Sequence, residues 1–325
     1  MASGKAREIY EQIRSGRIMS SWHWLQYNFS PGTDGALYFA PLTVRALEVV
    51  DDAMPGFAAQ MVSRLERIGG REKDFSHYEQ IVQWLAELLV IHHLMAANWP
   101  SGASFTHEPT SGKSKKNPEI VINVPAAGSL GVEVKCPDLS GYRFRRSSSS
   151  WQLTARSEID PKSLEGGVVL PKDNPVKDFL VSANEKFAGF RSADRDFRSV
   201  LVIVWDDFIN EPISALKAPS SGLLTPNSFH RDSAGAPVVY PNVDAVLVIR
   251  HQHQLRLGMA NRPAADERRH FLDYGSPGAF PPHALIANPS GLPLGEPWVR
   301  VLGGWALEEL GGMAEYRPGE VVLWT

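Results

Sequence analysis

The chain has 325 residues, 43% of them hydrophobic, enough to bury a core as one large domain or two smaller ones. Its net charge of −3 excludes a generally basic nucleic-acid coat but leaves room for a local basic groove. A single cysteine, Cys136, excludes a disulfide framework and a cysteine-rich zinc site, while the lack of a bilayer-length apolar run or a signal-peptide core sets the expectation of a cytoplasmic, membrane-free protein.

Residues 1–70 read as a helical N-terminal region. Apolar residues recur at helical spacing over Lys5–Ile18 and Leu42–Ile68, with the loop SPGTDG between them. Trp22, Trp24 and Tyr27 cluster before that loop, either as core packing or as a base-stacking platform. The segment 71–325 reads as the main domain. It opens on a long helix from Phe75 to Trp99, for which Ser76 and Glu79 have the spacing of a capping box. The second half of this helix is apolar nearly all round and is expected to be buried. Glu87 then lies among apolar neighbours and needs a partner, of which a metal ion is one. Glu79 sits beside Asp74, His77 and Gln80, where a capping or solvated role suffices.

Strands follow. ASFTHEP alternates, TSGKSKKN is a turn bearing Lys113, Lys115 and Lys116, and PEIVINV sets Glu119, Val121 and Asn123 against Ile120, Ile122 and Val124. AAGS predicts a hairpin into LGVEVKCP, where Glu133 and Lys135 share one face of the strand. Residues 138–173 are polar, with Arg143, Arg145 and Arg146 near Tyr142 and Phe144. They form either a solvated loop or a phosphate-contacting flap. A helix over Pro175–Phe190 leads to the buried strand FRSVLVIVWDD, and VDAVLVIRHQHQL reads as another, so a parallel crossover is expected. In that second strand His251 and His253 would share a face. The tail from about 257 reads as sheet edge and cover.

Two carboxylates on adjacent strands, with a lysine two residues after the second, suit a divalent cation and phosphodiester hydrolysis. Glu119 and Glu133 would ligate Mg2+ or Mn2+, with Glu87 reaching in directly or through water. Lys135 would orient or deprotonate the attacking water and stabilise developing negative charge. The plain alternative is an exposed ion pair between Glu133 and Lys135 on a strand surface.

The order of a helix glutamate, Pro118-Glu119 opening a strand, and Glu133-Val134-Lys135 on the next strand resembles the PD-(D/E)xK, or restriction-endonuclease-like, nuclease superfamily. The resemblance covers roughly the middle 130 residues. It implies an α/β fold with an αβββαβ core and a mixed sheet, carrying the catalytic residues Glu87, Glu119, Glu133 and Lys135. It also implies a magnesium-dependent nuclease acting on nucleic acid, DNA rather than RNA, in restriction, phage defence or repair. Glutamate at 119 departs from the aspartate usual in the family and lengthens that arm by one methylene. A further polar residue on the second core helix is implied, for which Lys177, Asn184 and Lys186 are candidates. Lys113, Lys115, Lys116, Arg143, Arg145 and Arg146 would contact the phosphate backbone. Partners beyond nucleic acid would be a second copy of the chain, since cutting both strands needs two sites, or other subunits. The rival expectations are a protein that keeps the fold and binds nucleic acid or assembles without cutting, and a structural subunit with no nucleic-acid contact.

Overall fold

The computed structural model describes residues 3–30, 38–69, 74–111, 116–125, 127–139, 151–153, 168–169, 175–206, 210–219, 221–275, 283–310 and 321–323. Its first helices are α1 (Gly4–Ser15), α2 (Arg17–Ser20), α3 (Gln26–Phe29), α4 (Phe39–Ala53), α5 (Phe57–Arg67) and α6 (Phe75–Ala96). Strands β1 (Ser104–His107), β2 (Ile120–Val124), β3 (Gly128–Lys135), β4 (Trp151–Leu153) and β5 (Val168–Val169) follow. Next come α7 (Val176–Ala193), β6 (Arg198–Trp205), α8 (Asn210–Lys217), β7 (Ala245–Arg250) and α9 (Gln252–Met259). The chain then gives β8 (Ala284–Ala287), α10 (Glu296–Leu302), β9 (Trp305–Ala306), α11 (Leu307–Leu310) and β10 (Val321–Leu323).

The protein is of the α/β class and divides into two compact units. The first comprises 1–107 and 251–275, and the second 108–250 and 276–325. Helix α6 thus groups with the N-terminal helices rather than with the strands that follow it. In the first unit Ser3 caps α1 by accepting from the Ala6 amide, and Ala6, Ile9 and Ile13 bury one stripe of that helix. The expected single helical stretch over Leu42–Ile68 is interrupted. Gly56 takes a left-handed conformation at φ 95°, and the Asp51 carboxylate accepts from the amides of Gly56 and Ala58, which ends α4 and starts α5. Helix α6 is capped by Asp74, which accepts from the Ser76 amide, so the expected cap at Ser76 moves two residues toward the N-terminus. Everything from Leu85 to Ile91 is buried, as the all-round apolar pattern requires. The segment 251–275 joins this unit through Phe271, stacked on Phe39 at 5.2 Å, and through the Met259 carbonyl, which accepts from Asn28.

The main sheet has seven mixed strands; six lie in the second unit in the order β2-β3-β6-β7-β8-β9. β2 and β3 form the expected antiparallel hairpin, with Ile120 opposite Val132 and Val124 opposite Gly128. β3, β6 and β7 are parallel to one another, and Glu133 is level with Leu201. β8 runs antiparallel to β7, and β9 parallel to β8, so the tail forms the sheet edge. A second small sheet has the order β10-β4-β5. Helix α7 buries Val176, Leu180, Ala183 and Phe187 and packs on β3 and β6. The expected strand through His251 and His253 stops at Arg250, because Gln252 begins α9. His251 is wholly buried with Nε2 at 2.7 Å from the Phe271 carbonyl, and His253 pairs with Asp266 at 2.7 Å. They share no strand face.

Candidate functional site

The site begins with a glycine. On β3, Gly131, Glu133 and Lys135 share the face covered by α7. A side chain at 131 would meet the Phe187 and Phe197 rings at 2.4–3.1 Å, so the helix lies close there. Two residues further on, Glu133 enters the same tightly packed layer at 0% exposure. A bare carboxylate there would be costly, and it must be paired. Its Oε1 accepts from Lys135 at 2.6 Å, the neighbour two along the strand, and from Lys186 of α7 at 2.7 Å. Its Oε2 is buried with no hydrogen-bond partner. The pair of Glu133 and Lys135 is therefore not the exposed surface ion pair of the plain alternative.

Glu119 lies one residue before β2, where its carbonyl accepts from the Glu108 amide at 2.9 Å. Ile120, Ile122 and Val124 are buried as expected, while on the other face of β2 Asn123 is exposed but Val121 is buried, because that end of the face is also covered. The Glu119 carboxylate lies 3.7 Å from the Lys186 ammonium, which thus spans Glu119 and Glu133. Burial pushes Lys186 toward its neutral form, but the charges of Glu133, Glu119 and Glu108 outweigh it and raise its pKa above the ordinary lysine value. Of the three residues proposed on the second core helix, Lys186 is the one brought to the carboxylates. Lys177 pairs with its neighbour Asp178, and Asn184 accepts from the Asn242 amide.

Glu87 lies in the first unit, while Glu119, Glu133 and Lys135 lie in the second. It is buried as expected, and its partner is Arg64, which donates to both carboxylate oxygens at 2.7 and 2.6 Å. His107 Nε2 lies 3.5 Å from the same group. Burial works against the charge on Glu87, but His107 and Arg64 outweigh it and hold the carboxyl below its ordinary range. Glu79 is not solvated. It is buried and takes a two-bond fork from Arg256 at 2.9 and 2.7 Å. Trp22 and Trp24 meet edge to face, and Trp24 meets Tyr78 in the same way, all three half-buried; Tyr27 is 66% exposed.

Lys116 is exposed and pairs with Glu185. Lys113, Lys115, Arg143, Arg145 and Arg146 lie outside the described residues. Cys136 and Asp206 are buried at the ends of β3 and β6.

Glu119 and Glu133 offer hard oxygen donors, and the unpartnered, fully buried Oε2 of Glu133 is the kind of atom a divalent cation satisfies. The residues fit such an ion. Comparison with known proteins yields no matching family model, no matching curated protein and no matching solved structure. The class the fold and site define is an α/β protein with a lysine-clamped, buried carboxylate on a central strand. No helix among the described residues is long and apolar enough to cross a membrane.

Proposed function

We propose that the chain is a divalent-metal-dependent nuclease of the PD-(D/E)xK kind that hydrolyses DNA phosphodiesters. One observation carries the proposal: Glu133 is buried with Oε1 clamped by two lysines and Oε2 unpartnered. Glu119 and Glu133 would hold magnesium or manganese. Such an ion, when bound, polarises a phosphate oxygen and makes a coordinated water more acidic. The protein's own groups do the rest. Lys135 fixes the orientation of the Glu133 carboxylate through its Oε1. Lys135, at the strand end and partly open to solvent, donates to the attacking water or to a phosphate oxygen and offsets charge building up on the phosphate. Lys116, with Lys113 and Lys115 before it and Arg143, Arg145 and Arg146 after β3, would contact the backbone phosphates.

The test is cleavage of plasmid and linear DNA in magnesium and in manganese. The expected outcome is metal-dependent nicking or cutting that falls by at least about 100-fold in Lys135→Ala and in Glu133→Gln. Variants that cut as fast as the wild type would place the activity elsewhere.

One observation favours a second reading. Glu119, Glu133, Lys135 and Lys186 balance one another's charge without an added ion, which suits a protein that binds nucleic acid or assembles on this fold without cutting. That reading predicts DNA binding that weakens as salt rises, with no cleavage in any divalent metal.

A further inference from the structure

We propose that Lys186 is the internal counter-ion of the site: its ammonium bridges Glu119 and Glu133 in the ion-free protein, and a divalent cation binds only by displacing it. The inference rests on the metal site proposed above and adds how that site is gated. The Lys186 ammonium lies 2.7 Å from Glu133 and 3.7 Å from Glu119, in the position from which one charge serves both carboxylates. An ion bound to the same pair would sit within a few ångströms of it. Two like charges so close in a partly buried site repel strongly. Lys135 is differently placed. It comes from the same strand as Glu133 and reaches Oε1 from the neighbouring position, so it keeps its contact while the ion takes the free Oε2.

The helix is built to let Lys186 leave. Its neighbour Phe187 is wholly buried and anchors α7, while Lys186 hangs from the helix on a flexible four-carbon stem with its side chain 21% exposed. The ammonium can therefore swing toward solvent without unpacking the helix. The ion-free site thus carries an ion pair that the incoming metal must break, which weakens metal binding. Displacement also sets a positive charge free at the mouth of the site.

The test measures Mn2+ binding by electron paramagnetic resonance and calorimetry in the full chain, with no nucleic acid present. The Lys186→Met variant keeps the stem and loses the charge, and is expected to bind Mn2+ at least about tenfold more tightly than the wild type. Lys186→Arg keeps the charge and is expected to bind no more tightly than the wild type. Glu133→Gln is expected to abolish binding in both the wild-type and Lys186→Met backgrounds. Binding that is unchanged or weaker in Lys186→Met, yet still lost in Glu133→Gln, would overturn the counter-ion role and leave the metal site standing. Binding that survives Glu133→Gln, or is absent from every form, would remove the metal site and the counter-ion role with it. A wild-type measurement guards against a variant that fails to fold. Magnesium titrated into 15N-lysine-labelled protein should release the Lys186 ammonium from Glu133, seen as faster hydrogen exchange at its nitrogen. An exchange rate that magnesium leaves unchanged would overturn the proposal.

Discussion

At the scale of single residues, the buried carboxylates are answered by guanidinium and ammonium groups. Arg64 forks onto Glu87, Arg256 onto Glu79, and two lysines share one oxygen of Glu133. Truncating one side of such a pair leaves the other charge buried and unmatched. Glu87→Ala is therefore expected to cost about 3–5 kcal/mol in urea unfolding, far more than a surface substitution. A Glu87→Gln protein that keeps its Mn2+ affinity would assign Glu87 a structural role; a large drop would make it a ligand. The burial of Glu87 was legible, because the apolar residues around it leave no polar face on that part of α6. Its partner was not, since Arg64 stands 23 residues earlier on another helix and nothing local marks it. Glu79 misled for the opposite reason. Its polar sequence neighbours suggest solvent, whereas Arg256, 177 residues later, covers it. Short-range pattern reports exposure of a helix face and is silent on which distant charge meets it.

At the scale of elements, β3 combines a gap and a charge on one face. Gly131 admits the Phe187 and Phe197 rings, and Glu133 and Lys135 follow at the strand period. Gly131→Ala would set a methyl against the Phe197 ring at 2.4 Å and is expected to cost about 1–3 kcal/mol, read as a lower midpoint in urea. An unchanged midpoint would mean that α7 sits less tightly on the strand than the geometry requires. The β2–β3 hairpin was legible from clean alternation around a short turn. So was the parallel run from β3 to β6, from a helix of amphipathic spacing followed by a wholly apolar strand. The strand through His251 was misjudged because RHQHQL alternates polar and apolar residues too weakly to separate the two periods. The helical spacing of the buried Gln252, Leu255 and Met259 is evident only once the helix is known. Which of Lys177, Asn184 and Lys186 faces β3 depends on the rotation of α7 about its axis, which Leu180, Ala183 and Phe187 set by packing.

At the scale of the molecule, the first of the two units holds histidines that burial keeps neutral. Burial, with His270, His93 and Arg45 nearby, lowers His92 to about 4, and burial lowers His251 to about 3 despite the Phe271 carbonyl. A histidine whose folded pKa is depressed contributes its full stability above the unfolded value of about 6.5, and loses it as pH falls toward the folded value. Each is expected to remove roughly 3 kcal/mol between about pH 6.5 and pH 4. Melting temperatures across that range should fall steeply in the wild type and less steeply in His92→Asn; parallel curves would show that His92 does not carry the effect. The same unit is made of two pieces of chain, 1–107 and 251–275, and this discontinuity has a consequence for the order of events at the ribosome. The first unit starts earliest but cannot close until residue 275 has left the exit tunnel, because Phe39 lacks its stacking partner Phe271 and the Asn28 amide lacks the Met259 carbonyl until then. By that point β2, β3, β6 and β7 have all been synthesised, so of the two units the one begun first closes after these four strands of the sheet have emerged.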